Sequence, residues 1–216
     1  MVRFSMLKSL SYPKIVQGLL FAAALLGSAS CAHAASAVSA PIDELNDRFL
    51  QIMKAGKTIQ FQQRYAILAP TIKRTFDLPF LMQSAIGGRW ASLTTEQHRA
   101  LVEAFEQYAV SLCAAYFDDY SGQRFEILGE TKTSSGDPSI LVKILPGDVT
   151  DDVHTLSYVM RQTASEWKAI DVVMDRQISL AALALDQIRA LFSNYGDAGL
   201  LTRLQRTTAE LSHRSH

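Results

Sequence analysis

Any chemistry in this 216-residue chain has to start from five histidines, two cysteines and a few neighbouring carboxylates. His98, His154, His213 and His216 lack a metal-ligand partner at i+4 on a helix or at strand spacing, the arrangements that turn two imidazoles toward one ion. His213 and His216 fall in a polar tail and read as a solvated end, and His98 reads as facing solvent. Asp118-Asp119 and Asp151-Asp152 are adjacent pairs, but neighbours on a helix or strand point apart, so they read as solvated element ends. Cys113 lies among Leu112, Ala114 and Ala115, where a thiol is a small buried hydrophobe rather than a nucleophile. There is no G-x-S-x-G, no Gly-rich phosphate loop and no familiar Cys-His pattern. Gly196-x-x-Gly199 reads as a turn between helices. The residues therefore predict no catalytic site, no cofactor and no metal.

The first residues carry a different message. Arg3, Lys8 and Lys14 precede an uncharged run from Ile15 to Leu26, and Ala32-His33-Ala34 offers an A-x-A cleavage site. The run is short for a span of about 30 Å of hydrocarbon. Ser28-Ala29-Ser30 lacks the leucine that lipidation of Cys31 would want. The expectation is a cleaved signal peptide over 1–34 and export, with a single domain over 35–211 and a frayed tail over 212–216. The whole chain has 21 basic and 21 acidic residues; three basic and no acidic ones lie in 1–34, so the remainder has 18 against 21. That balance argues against a nucleic-acid partner. Cys31 leaves with the leader, so no intramolecular disulfide is expected.

The elements that position everything else follow from periodicity. Pro41, Asp43 and Glu44 suit a first helical turn, Ile42, Leu45, Phe49 and Met53 form its stripe, and Gly56 stops it. A second helix is predicted from Thr58 toward Thr75, kinked at Pro70. Asp77 caps a short third helix, and Thr94-Thr95-Glu96-Gln97 is a capping box that opens a long fourth. Near residue 122 the period changes to two. Strands are predicted over Arg124–Lys132, Ile140–Leu145, Val153–Gln162 and Trp167–Met174, with turn-forming links too short for anything but antiparallel neighbours. Phe125/Ile127, Ile140/Val142/Ile144, Leu156/Tyr158/Met160 and Ile170/Val172/Met174 give each strand an apolar face. Two closing helices, Ser179 to Phe192 and Asp197 to about Leu211, meet at Gly196. The fold class is α+β: a four-stranded antiparallel meander against several helices. By periodicity alone the aromatic residues fill one core; composition does not reveal a cavity.

Several segments, in order, resemble the MlaC (toluene-tolerance) family of periplasmic lipid carriers. They are Arg64-Tyr65-x-x-Leu68-x-Pro70-x-Ile72 into Phe76-Asp77; Ile86-Gly87-x-x-Trp90 with Leu93-Thr94-x-x-Gln97, Phe105 and Tyr116; Trp167 to Val172; and Ile178-Ser179 with Gly196-x-x-Gly199-Leu200-Leu201-x-x-Leu204. The resemblance covers roughly residues 41–206, and the step from Asp171 to Ser179 looks more like the hopanoid-associated HpnM branch. Two departures stand out. Asp175-Arg176-Gln177 replaces a turn that tends to carry glycine, and Ala181 to Leu185 lacks an arginine that the family tends to place there, leaving Arg189 as the nearest substitute.

The resemblance implies an apolar cavity between sheet and helices that shelters lipid tails, with no bond made or broken. Residues expected to line it are Phe80, Leu81, Trp90, Phe105, Tyr108, Leu112, Ile127, Val142, Ile144, Tyr158, Met160, Ile170 and Val172. It implies a phospholipid or hopanoid ligand carried by a monomer. It also implies docking to an inner-membrane MCE/ABC or RND-like transporter and an outer-membrane lipoprotein complex. Two other classes stay open: a cone-shaped NTF2-like enzyme, for which Asp171 is the candidate acid or base, and an adaptor that binds only protein.

Overall fold

A computed structural model describes residues 36–147 and 152–213, so the leader expected over 1–34 lies outside the described residues. Helix α1 (Ala40–Ala55) turns Ile42, Leu45, Phe49, Ile52 and Met53 inward, with Pro41 in its first turn and Gly56 at its end. After a short 3-10 turn over Gly56–Thr58, α2 (Phe61–Thr75) begins three residues later than its pattern suggested. Gln60 and Gln63 bond each other's backbone N–H there, a capping box that fixes the start. Pro70 sits inside α2 without ending it, at the cost of one intrahelical hydrogen bond.

Asp77 caps α3 (Leu78–Ile86) by accepting from the Phe80 N–H at 3.2 Å. The reciprocal Thr94–Gln97 pair opens α4 (Thr95–Tyr116), as the sequence indicates. His98 is not simply solvent-facing: its ring stacks on Trp90 at 4.0 Å and its Nε2 lies 2.8 Å from the Trp90 carbonyl oxygen.

The sheet runs β1 (Arg124–Lys132), β2 (Pro138–Leu145), β3 (His154–Gln162), β4 (Trp167–Met174) and β5 (Ile178–Ser179), each antiparallel to the next in chain order. It therefore has five strands rather than the expected four. A tight turn at Asp175-Arg176 folds the chain back so that Ile178 and Ser179 pair with Met174 and Val173 before helix starts.

Two bulges bend the sheet. The register steps between Ile127 and Gly129, leaving Leu128 unpaired and 48 % exposed, with Gly129 at φ +137°. A second step between Val159 and Met160 sets Met160 opposite Ala169 and leaves Ile170 as the extra residue. Period two consequently breaks at that point, and Ala169, fully buried, takes the inward place predicted for Ile170.

Helix α5 (Leu180–His213) is two limbs broken at Gly196, so the two closing helices exist as expected. The second limb continues to His213 with Leu211 buried, beyond the predicted start of fraying; residues 214–216 lie outside the described set. Among the described residues no helix is long and apolar enough to cross a membrane.

Residues opposite each other in an antiparallel pair share a face, so Ile127, Val142, Leu156 and Met174 form one inward row and Ile140, Tyr158 and Val172 another. Against these rows pack Phe49 from α1, Leu68 from α2, Leu81 from α3, Phe105 from α4 and Ile188, Phe192, Leu200 and Leu204 from α5, in one continuous apolar cluster. Each such side chain, fully buried, contributes about 1.5–3 kcal/mol.

Candidate functional site

The interior is where the thirteen expected lining residues can be judged. Leu81, Phe105, Val142, Tyr158 and Met160 are buried together in the central cluster, and Trp90, Tyr108, Ile127 and Val172 are half-buried against it. The other four lie outside that cluster. Ile144 is buried apart from it, near the end of β2, and Leu112 is half-buried on α4. Ile170 is displaced by its bulge. Phe80 lies beneath the Arg161 guanidinium, 4.2 Å from its ring centroid, while Arg161 also stands 3.6 Å from the Asp77 carboxylate.

Tyrosine and cysteine side chains packed in or against this cluster stay neutral. Burial pushes the Cys113 thiol up to about 12, and burial likewise raises the phenols of Tyr108 and Tyr158. Tyr158 is 3 % exposed and its hydroxyl has no hydrogen-bond partner among the described residues.

A slot of about 200 Å³ opens at the surface between α4 and the two limbs of α5. Its floor is Ile188 and Leu204, both buried; Tyr108, Ala184 and Leu191 form its sides; Gln187, Arg203 and Thr207 stand at its rim. Of the thirteen expected residues only Tyr108 lines the slot. The remainder were missed because an apolar stripe on a closing helix reads as ordinary core. The signal was there in the i, i+4 repeats Ala184/Ile188 and Leu200/Leu204, whose polar flanks Gln187 and Arg203 share one edge.

A second hollow, about 340 Å³, lies between the start of α1, the end of α2 and the β3–β4 turn. Glu44 and Arg74 pair across it, and Glu166 and Trp167 complete its wall, so hydrocarbon there would have to displace charge.

The hinges and caps around the slot account for several residues singled out by sequence. Asp171 accepts from the Ala181 N–H at 3.2 Å and Ser179 from the Ala182 N–H at 2.8 Å, so both cap the first limb of α5. Asp171 is thereby engaged as a cap, not held free in a pocket as an acid or base would be. Gln97 ties the start of α4 to the second limb through Asp197 at 2.7 Å. Arg189 pairs with Asp186 at 2.6 Å on the first limb. Among the described residues no group of three or more His, Cys, Asp or Glu side chains gathers as a metal site.

Comparison with known proteins places this architecture. The fold matches a phospholipid-binding protein from Ralstonia solanacearum, solved in complex with a phospholipid, with a TM-score of 0.65. The match covers 84 % of this chain and 99 % of that one at 18 % identity. No curated protein matches the sequence. The family described as MlaC protein matches residues 43–206, most of the chain and nearly the stretch that carried the resemblance. The chain belongs to the MlaC family.

Proposed function

We propose that this protein is a periplasmic carrier that takes up a phospholipid, shelters its tails between sheet and helices, and shuttles it between membranes. The observation that carries the reading is the continuous apolar cluster between sheet and helices, with a slot opening at its edge between α4 and α5. Membership in the MlaC family and a fold shared with a phospholipid-binding protein support it.

The physical need is plain. A tail of about 16 carbons exposed to water costs roughly 0.8 kcal/mol per methylene, on the order of 13 kcal/mol. Unassisted crossing of an aqueous gap is correspondingly rare. Sheltering the chain needs only apolar walls, and no reaction.

The slot at about 200 Å³ is smaller than the roughly 300–1,000 Å³ of pockets that enclose whole ligands. Loading therefore separates α5 from α4, and the tails extend past Ile188 and Leu204 toward Phe105, Tyr158 and Met160. The leader over 1–34 delivers the chain to the periplasm. A transporter of the MCE/ABC or RND-like type at the inner membrane and a lipoprotein complex at the outer one exchange the cargo.

Organic extraction of protein purified from a periplasmic fraction, followed by mass spectrometry, tests this reading. About one lipid per chain is expected, and the spectrum distinguishes phospholipid from hopanoid. A lipid-free extract, together with no uptake from vesicles, overturns the carrier in favour of a protein-only adaptor.

A further inference from the structure

The rim of the α4–α5 slot holds a cation that the fold does not use. Arg203 touches the Tyr195 ring, 5.4 Å from its guanidinium carbon, and has no hydrogen bond or ion pair with any described residue. Neighbouring charges on the same helix pair are spent on each other: Arg189 with Asp186, Arg206 with Glu210. Gln187 and Thr207 flank Arg203 at the rim, while Ile188 and Leu204 lie at the base, so one end of the slot is polar and cationic and the other is greasy.

We propose that Arg203 is the headgroup-reading residue of this slot, binding the phosphate of an amphiphile whose alkyl chain enters between α4 and α5. This rests on the lipid-carrier reading and adds to it a site and a charge preference. A guanidinium presents five N–H donors in a planar fork that matches phosphate oxygens two at a time. Gln187 and Thr207 offer further neutral donors beside it. A zwitterionic or anionic phospholipid satisfies this rim through its phosphodiester, whereas a neutral sterol-like or sugar headgroup leaves the guanidinium without an anion.

Protein freed of bound lipid is titrated calorimetrically with dodecyl phosphate and with dodecyl maltoside, both below their micelle thresholds, and with inorganic phosphate alone. The wild type is expected to favour dodecyl phosphate by about tenfold at low salt, the ratio falling as salt rises. In Arg203→Gln, checked for folding by circular dichroism, the ratio collapses toward one; in Arg203→Lys it is partly kept. A wild-type ratio near one, or an unchanged ratio in Arg203→Gln, overturns the proposal while leaving lipid carriage standing. Equal binding of inorganic phosphate alone identifies a free-anion site and also overturns it. Failure of both amphiphiles to bind overturns both this inference and the carrier reading.

Discussion

The Nε–H of Arg64 on α2 donates to the carbonyl of Ala114 in the last turn of α4 at 2.8 Å, across fifty residues of chain. The same guanidinium donates from Nη1 to the carbonyl of Ile59 at 2.8 Å, so a side chain only 2 % exposed joins the α1–α2 connection to the end of α4. The negative end of the α4 dipole suits a cation there. An ammonium cannot span both carbonyls. Arg64→Lys is expected to cost about 2 kcal/mol and Arg64→Ala about 3 kcal/mol, read as lower urea midpoints with an unchanged slope.

The turn from β4 to β5 is held in a conformation that suits glycine. Asp175 and Arg176 have φ of 49° and 58°, and the Gln177 N–H donates to the Met174 carbonyl at 3.0 Å. Asp175 offsets this by accepting from the Thr155 N–H at 2.8 Å, but Arg176 makes no comparable contact among the described residues. Arg176→Gly is accordingly expected to raise stability by about 0.5–1 kcal/mol, measured by thermal unfolding.

The same turn predicts a pH dependence. Burial pushes the Asp175 carboxyl up, but the Thr155 N–H and then the hydrogen bond and charge of His154, 2.8 Å away, outweigh it and hold it below the usual carboxylate range. A depressed folded value stabilises the protein above the unfolded value of about 3.9 and ceases to do so as pH falls through the folded one. From about pH 5 downward, the stability gap between wild type and Asp175→Asn should close as pH falls through the folded value. Chemical denaturation across that range reads it, and a gap that widens on acidification would contradict the assignment.

Gly196 separates the limbs of α5 with φ 68° and ψ −169°, a region open essentially to glycine alone. A Cβ at this position meets nothing within 4 Å, so the obstacle to substitution is the backbone and not space. Gly196→Ala should cost about 1–3 kcal/mol in a thermal melt. Because Asp197 follows immediately and bonds Gln97, the variant should also loosen the tie between α4 and the second limb, detectable as faster amide exchange in Ala198 to Leu204.

Cys113 reports on the interior. With its thiol held up to about 12, only a trace of thiolate exists at pH 8. Labelling by a disulfide reagent should be at least about 100-fold slower in the folded protein than in urea. Equal rates would mean that α4 does not shelter this position.

Much of the architecture was legible before any coordinates. The Thr94–Gln97 box, the Asp77 cap and the change of period near residue 122 are local signals, set by backbone groups a few residues away, and they placed α3, α4 and the sheet closely. Resemblance in scattered but ordered segments identified the family. What local pattern could not supply was the place where period two fails. Ile170 looks like a core residue by alternation, yet pairing with β3 makes it the bulge and gives its place to Ala169. Likewise Ile144 and Leu112 fit their stripes but lie outside the central cluster.

The sequence by itself determined the element types, the antiparallel order and the apolar faces of the strands, since each depends on side-chain type and short-range spacing. Tertiary structure alone decided which apolar residues face one another, and it put the surface opening between α4 and the limbs of α5 rather than over the sheet face. That choice depends on how a helix broken at Gly196 folds back on Tyr108, a contact between residues some eighty positions apart that no window along the chain contains.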